Sequence, residues 1–255
     1  MSDAPNDSRE RTSDLELLRA DAHTSLAITQ DGRIERQNDP DRTPGPRLLF
    51  AGCAQGNFSY VGHDVPDGTA LRLTQIAERQ PSWRDADLVP PSLVEFVDVL
   101  SGEQRAVEVS YGFSYVLPHD CAFEHEATLV QDDTAEGNRL AAHFGHRGLP
   151  QRMVDAGFNT FEDLWRPWCI ALDGEEVASI AFAARLGPAG AAVGVHTFPG
   201  FRGRGFAAAA TAGWSALPSL SFRRLFYGTQ RSNRSSQRVT DRLGMRRIGA
   251  FLALR

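Results

Sequence analysis

The chain has 255 residues, of which 42% are hydrophobic and 23% charged, and its formal net charge is −5. This composition is typical of a globular protein in water, and no apolar run approaches the roughly 20 residues that a membrane-spanning helix requires. The polar first residues form no secretory signal, and three widely separated cysteines make neither a disulfide framework nor a metal site, so we expect a reducing cytoplasm.

Charge is distributed unevenly along the chain. From Arg202 onward there are eleven arginines and one acidic residue, Asp241, whereas the preceding part has sixteen arginines and thirty-one acidic residues. A basic end and an acidic front indicate an anionic ligand on one side. Nucleic acid is a competing explanation, but we do not expect it as a partner, because no aromatic-rich RNA-binding motif accompanies the arginines.

The first half predicts a small α+β module. Residues 1–12 have few apolar groups, which predicts a disordered tail, and residues 13–120 are expected to fold. In chain order, the patterns predict a helical stripe from Leu15 to Leu26, a turn at Asp31-Gly32, strands at Leu48–Phe50 and Phe58–Val61, helices at Thr69–Gln80 and Ser92–Leu100, and a strand at Tyr111–Leu117.

The second half, residues 123–255, predicts a longer alternation of strands and helices. A hairpin is expected at Asp173-Gly174, a strong turn signal. In order, the predicted elements are a strand at Ala127–Val130, helices at Thr134–Phe144 and Pro150–Ala156, strands at Trp168–Leu172, Val177–Arg185 and Val193–Thr197, a helix after Gly205, a strand at Leu225–Thr229, a helix opened by Asn233, and a strand at Ile248–Leu254.

The segment from Gly194 to Ala216 carries the strongest functional signal. A strand ends at Thr197, Pro199-Gly200 interrupts it, and an alanine-rich run follows Gly205, so the segment is predicted to be strand, tight loop and helix. The amides of residues 203–206 would then lie at a helix N-terminus, whose unpaired donors and partial positive charge suit a pyrophosphate. Glycine at 203 and 205 would let the backbone approach the anion.

Two motifs together resemble the core of the GNAT superfamily of N-acetyltransferases. Arg202-x-x-Gly205-x-Ala207 resembles its pyrophosphate loop, and Asn233-x-x-Ser236, a helix and Leu243-Gly244-Met245 resemble its second half at the right separation. The chain has no lysine and therefore no P-loop signature. The simpler interpretation of the second motif is that Asn233 and Gly244 only cap a helix.

The resemblance implies an α/β (α+β) fold, in which a mixed central sheet is flanked by helices. It covers residues 123–255 as a GNAT acetyltransferase domain, preceded by the smaller α+β module at 13–120. The front module loosely resembles an uncharacterised N-terminal module of bacterial two-part GNAT proteins, through Gly32-Arg33, residues 46–50 and Gly56-Asn57.

As the resemblance implies, acetyl-CoA would be the co-substrate, without a metal, and an amine of a small molecule or peptide would attack the thioester directly. A homodimer would be compatible with it, and the acidic front would favour a cationic acceptor by steering. The implied coenzyme-binding residues are Val195, His196 and Thr197 for the pantetheine, Arg202, Gly203, Arg204, Gly205, Phe206 and Ala207 for the pyrophosphate, and Asn233 and Ser236 for the far side of the arm.

The acid and base are less evident. Related sequences often carry glutamate ten positions before the loop arginine and tyrosine three before the Leu-Gly pair, where this chain has Ala192 and Thr240. His196 and Tyr227 are the catalytic candidates, although each could instead be a residue that only packs in the core.

The rival function is a catalytically weak coenzyme-binding module whose front half recognises a partner. A third function is an acyltransferase that acts on aminoacyl-tRNA.

Overall fold

A computed structural model describes residues 12–102 and 106–255, so the predicted tail at 1–12 lies outside the described residues except for Thr12. The helices are α1 (Asp14–Ser25), α2 (Asp67–Glu78), α3 (Leu93–Ser101), α4 (Ala135–Arg147), α5 (Gln151–Asp155), α6 (Phe206–Ser215) and α7 (Arg234–Arg242). The strands are β1 (Leu26–Ile28), β2 (Arg33–Gln37), β3 (Leu48–Cys53), β4 (Gly56–Gly62), β5 (Val109–Leu117), β6 (Thr128–Gln131), β7 (Trp168–Asp173), β8 (Glu176–Leu186), β9 (Gly190–Thr197), β10 (Arg224–Gln230) and β11 (Arg246–Leu254).

Within the described residues, eleven strands form one sheet in the order β1-β2-β4-β3-β11-β5-β10-β9-β8-β7-β6. The sheet is mixed, because β9 and β10 run parallel while most other neighbours run antiparallel. The predicted fold class, a mixed sheet flanked by helices, is confirmed. The division of the chain near residues 120–123 stays a prediction. It does not coincide with a break in the sheet, because β5, which precedes the boundary, lies between β10 and β11, which follow it.

The apolar stripe predicted near the N-terminus forms α1 and packs on one face of this sheet. Ser13 and Glu16 form a capping box, in which Glu16 N donates to Ser13 Oγ at 3.2 Å and Ser13 N donates to Glu16 Oε2 at 2.8 Å. Leu17 and Leu18 are buried in a cluster with Phe226 of β10. The capping box fixes where α1 begins, and the buried leucines fix which side faces the sheet.

The helical stripe ends one residue earlier than expected, at Ser25, and Leu26 begins β1. The predicted turn at Asp31-Gly32 joins β1 to β2, with Gly32 at a φ of +80°. The sequence patterns do not predict β1 and β2, because strands of three and five residues are too short to show a clear alternation of apolar and polar residues.

Helix α6 packs closely on the other face. Four of its five alanines, at positions 208, 209, 210 and 212, are buried, and a Cβ on Gly213 would lie 2.6 Å from Cys169 Sγ and 2.9 Å from Leu129 Cδ1. Small side chains therefore let the helix approach the sheet, and this fixes the position of its N-terminus.

The parallel pair β9 and β10 is joined only at its start, over three residue pairs that end with Phe226 and Ala192. Beyond them β9 continues along β8 as far as Thr197, and β10 continues along β5 as far as Gln230. A gap therefore opens in the middle of the sheet, between β9 and β10.

Two glycine-to-alanine substitutions test the packing of α6. Gly213→Ala should lower the free energy of unfolding by about 1–3 kcal/mol, because the added methyl group overlaps Cys169. Gly145→Ala, on an exposed side of α4 where a Cβ meets nothing within 4 Å, should raise it by about 0.5–1 kcal/mol through helix propensity. Urea unfolding of both variants measures this, and equal effects would contradict the close approach.

Candidate functional site

The loop between β9 and α6 turns on glycines in left-handed conformations. Gly200, Gly203 and Gly205 have φ values of +91°, +78° and +99°, which other residues rarely adopt. A Cβ at 203 would meet nothing within 4 Å, but at 205 it would lie 2.9 Å from Cδ2 of His125. The expectation that both glycines serve the anion is therefore incomplete, because Gly205 is also required for the packing of His125.

This loop presents free donors at the start of α6. Among the described residues, none accepts a hydrogen bond from the amides of Gly203, Arg204 or Gly205, and Gly205 provides no side-chain cap. Unpaired amides and the positive end of the helix dipole form an anion site. Arg202 is exposed beside them, and its Nε donates to the Thr197 carbonyl at 3.2 Å.

A cavity of about 600 Å³ collects the residues of both motifs on the α6 side of the sheet. Its lining residues are Val195, His196, Thr197, Phe201, Arg202, Gly203, Gly205, Phe206, Ala207, Tyr227, Asn233, Ser235, Ser236, Arg238, Val239 and Arg242. Of the predicted coenzyme residues, Arg204 is absent from this lining: its guanidinium pairs with Asp173 at 2.8 Å and lies over the Phe206 ring at 4.9 Å. Arg238 and Arg242 match no motif position in the sequence, although their four-residue spacing on α7 places them on one helix face.

Asn233 fills the structural role proposed for it, because its Oδ1 accepts a hydrogen bond from Ser236 N at 3.0 Å and caps α7. Ser236 also contacts the gap: its Oγ lies 2.8 Å from the hydroxyl oxygen of Tyr227. Burial raises the pKa of Tyr227, and the Ser236 hydrogen bond lowers it by less. The phenol is therefore protonated at neutral pH, in the cavity wall.

His196 lies among aromatic side chains. Its ring packs against Phe158 and Phe198, with ring centroids 6.0 Å and 4.8 Å away. Its Nε2 is buried and has no hydrogen-bond partner among the described residues. Burial, and then the charge of Arg202, lower its pKa, so the imidazole is neutral. The contacts fit the packed reading, and a catalytic role for His196 stays a prediction.

Thr240 and Ala192 occupy the positions at which related sequences often carry the catalytic tyrosine and glutamate. Thr240 is buried and donates to the Gln237 carbonyl at 2.7 Å. Ala192 is the last residue of β9 that pairs with β10, and it borders a second cavity.

The second cavity, of about 370 Å³, lies under α1. Its polar lining residues are Asp21, Ser25, Gln37, Ser110, Ser114, Arg185, Thr229, Gln230 and Arg255. Val193 of β9 and Gly228 of β10 also line it, so it borders the same gap as the first cavity. Burial raises the pKa of Asp21 to about 6, although hydrogen bonds from Ser114 and Ser25 lower it.

Comparisons with known proteins return solved structures only, since no protein-family model and no curated protein matches the chain. A GCN5-related N-acetyltransferase-like protein from Streptococcus suis is similar at 18% identity and a TM-score of 0.45, over 85% of each chain. A GCN5-related N-acetyltransferase from Sphaerobacter thermophilus is similar at 14% identity and a TM-score of 0.43, over 90% of this chain and 79% of the other.

A GNAT-family protein from Novosphingobium aromaticivorans is similar at 20% identity and a TM-score of 0.39, over 59% of this chain. The match spans 66% of that protein, slightly less than two thirds of its length.

The described part of the chain comprises residues 12–102 and 106–255. None of the helices in that part of the chain is long and apolar enough to cross a membrane. The same residues contain no cluster of three or more potential metal ligands among histidine, cysteine, aspartate and glutamate.

Asp21 gives a pH-dependent stability test. A carboxyl group whose pKa is raised by folding destabilises the fold once it ionises, so stability is lost as pH rises from about 4 to about 6. Asp21→Asn removes this loss, and its stability advantage over wild type should be about 1–3 kcal/mol larger at pH 7.5 than at pH 4.

Urea unfolding at both pH values measures the difference. Asp14→Asn, on the same helix and paired with Arg246 at the surface, is the control and should change stability by less than about 1 kcal/mol. An Asp21→Asn advantage that is equal at the two pH values would contradict the raised pKa.

Proposed function

We propose that this chain is an acetyl-CoA-dependent N-acetyltransferase of the GNAT type, which moves an acyl group to the amine of a small molecule or peptide in the cytoplasm. One observation carries the proposal. Residues of both motifs, far apart in sequence, line a single cavity at the gap between β9 and β10, and unpaired amides lie at one end of it.

The pyrophosphate would bind the amides of residues 203–205. Arg202, Arg238 and Arg242 line the same cavity and add positive charge from two directions. Binding of the pyrophosphate would explain part of the excess of arginines after residue 201. Arg204 would contribute its amide and not its guanidinium, since the latter is held by Asp173.

The pantetheine arm would run along β9. From Val193 to Thr197 this strand has lost its pairing with β10, so one edge is available for hydrogen bonds with the amides of an extended ligand. Val195 and Thr197 line the cavity beside that edge.

The thioester supplies an activated acyl group at the gap, and direct attack by an amine needs no covalent intermediate on the protein. Tyr227 would protonate the departing sulfur, because its phenol is neutral, lines the cavity and is oriented by Ser236.

The rival function is a coenzyme-binding module with little or no catalysis, and it is favoured by Ala192 and Thr240 at the customary catalytic positions. Release of CoA in the presence of a broad panel of amines separates the two. Saturable coenzyme binding without turnover would favour the binding module.

Ala207→Glu tests the coenzyme site without a backbone clash. A carboxylate in the first turn of α6 suits the helix dipole but repels phosphates, so the Kd for acetyl-CoA should rise at least about tenfold while the protein stays folded. Ala135→Glu, at the exposed start of α4, is the matched control and should leave Kd within about twofold. Isothermal calorimetry measures both, and equal affinities would reject the assigned loop.

Tyr227→Phe tests the acid. It should lower kcat about 10²-fold or more while changing the Kd for acetyl-CoA little, because the ring is kept and only the proton donor is lost. Tyr60→Phe is the control, since that hydroxyl contacts His23 outside both cavities. An unchanged kcat in Tyr227→Phe, with chemistry rate-limiting, would remove Tyr227 from the mechanism.

A further inference from the structure

We propose that the cavity under α1 binds the acceptor, that Asp21 takes the proton from its amine, and that Arg185 binds a carboxylate of the same molecule. The acceptor is then a small amine that also carries a carboxylate, such as an amino acid or a short peptide. This inference rests on the proposed acetyltransferase function.

The first step is the position of Asp21 relative to the gap. Ser114, one of the two serines whose hydroxyls interact with the carboxyl group, is the register partner of Gly228. Gly228 lies two residues beyond Phe226, where β10 has already parted from β9. Asp21 therefore lies on the α1 side of the opening that the coenzyme cavity borders from the other side.

The second step is that the gap is open on this side. Ala192 offers only a methyl group, and a Cβ at Gly228 would meet nothing within 4 Å. A cavity of about 370 Å³ is within the range of small-ligand sites. An acceptor of a few carbon atoms can therefore approach the thioester from below α1.

The third step is the charge of the Asp21 carboxylate. Its contacts are with hydroxyl groups, including Ser25 Oγ at 3.5 Å, and no arginine or histidine of the described residues forms an ion pair with it. A partly buried carboxylate without a cationic partner attracts an ammonium group. Its pKa of about 6 leaves it ionised at neutral pH and still basic enough to accept a proton.

The fourth step is Arg185 on the opposite wall. Strand order places β8, which carries Arg185, across β9 from the gap, whereas β5, which carries Ser114, lies across β10. Arg185 is positioned by hydrogen bonding to Gln37 and lies 3.6 Å from Asp39, and the charge of Arg255 acts on it. Arg185 and Arg255 both line this cavity, and a carboxylate of the ligand would neutralise part of their positive charge.

The chemical step balances. The bound ammonium group first loses one proton to the Asp21 carboxylate, which passes it to solvent. The resulting amine then loses a second proton to Asp21 as its nitrogen bonds to the thioester carbonyl carbon, and the carbon–sulfur bond breaks. The sulfur takes a proton from the Tyr227 phenol, giving an amide and free CoA thiol. The proton on Asp21 returns to Tyr227 through water.

The experiment measures CoA release by the full chain with acetyl-CoA and a panel of amino acids and dipeptides, each paired with its carboxamide. Acids should exceed their amides in kcat/KM by at least about tenfold. Asp21→Asn should lower kcat/KM about 10²-fold or more while the calorimetric Kd for acetyl-CoA stays within about twofold. Asp14→Asn, exposed on the same helix, should match wild type, and Arg185→Gln should abolish the preference for acids.

The possible results distinguish a wrong acceptor site from a wrong proposed function. Full turnover by Asp21→Asn, equal use of acids and amides, or acetyl-CoA binding without acetylation of any panel member would overturn the acceptor assignment and leave the coenzyme site standing. Failure of the wild type to bind acetyl-CoA would instead overturn the proposed function.

Discussion

The site depends on one structural event, the parting of two parallel strands. Pairing between β9 and β10 ends at Phe226 and Ala192, although both strands continue for several residues. Each strand remains bonded to its outer neighbour, so the gap exposes backbone without unfolding the sheet. The predicted coenzyme residues then line one face of the opening, and the cavity under α1 lines the other.

Irregularities in the flanking pairs accompany this parting. β8 and β9 shift register between Ala183 and Arg185, and β11 and β5 shift between Arg247 and Gly249. Bulges bend a strand and increase its local twist, so a register shift on each side of the gap favours divergence of the central strands. A Cβ on Gly249 would lie 2.5 Å from the Gly52 carbonyl oxygen, which shows why that position has no side chain.

Local patterns predicted much of the fold, because they depend on neighbouring residues. The turn, loop and helix from Thr197 to Ser215 follow from glycine and alanine placement, and the helix at α7 follows from the Asn233 cap. The directions of the side chains could not be predicted from the sequence. Arg204 lies within the loop motif, but its side chain pairs with Asp173. Arg238 and Arg242 lie outside that motif, but both line the cavity. A six-residue pattern carries no information about a partner such as Asp173, which belongs to another strand.

The insertion of β5 explains why the second cavity could not be read from the sequence. Asp21 is one acidic residue on an amphipathic helix, and no local motif marks it. Its surroundings arise because β5 enters between β10 and β11 and brings Ser114 beside Gly228, while α1 covers that face. The front of the chain supplies a central strand and one wall of a cavity at the gap, so it cannot be separated from the sheet that carries the two motifs.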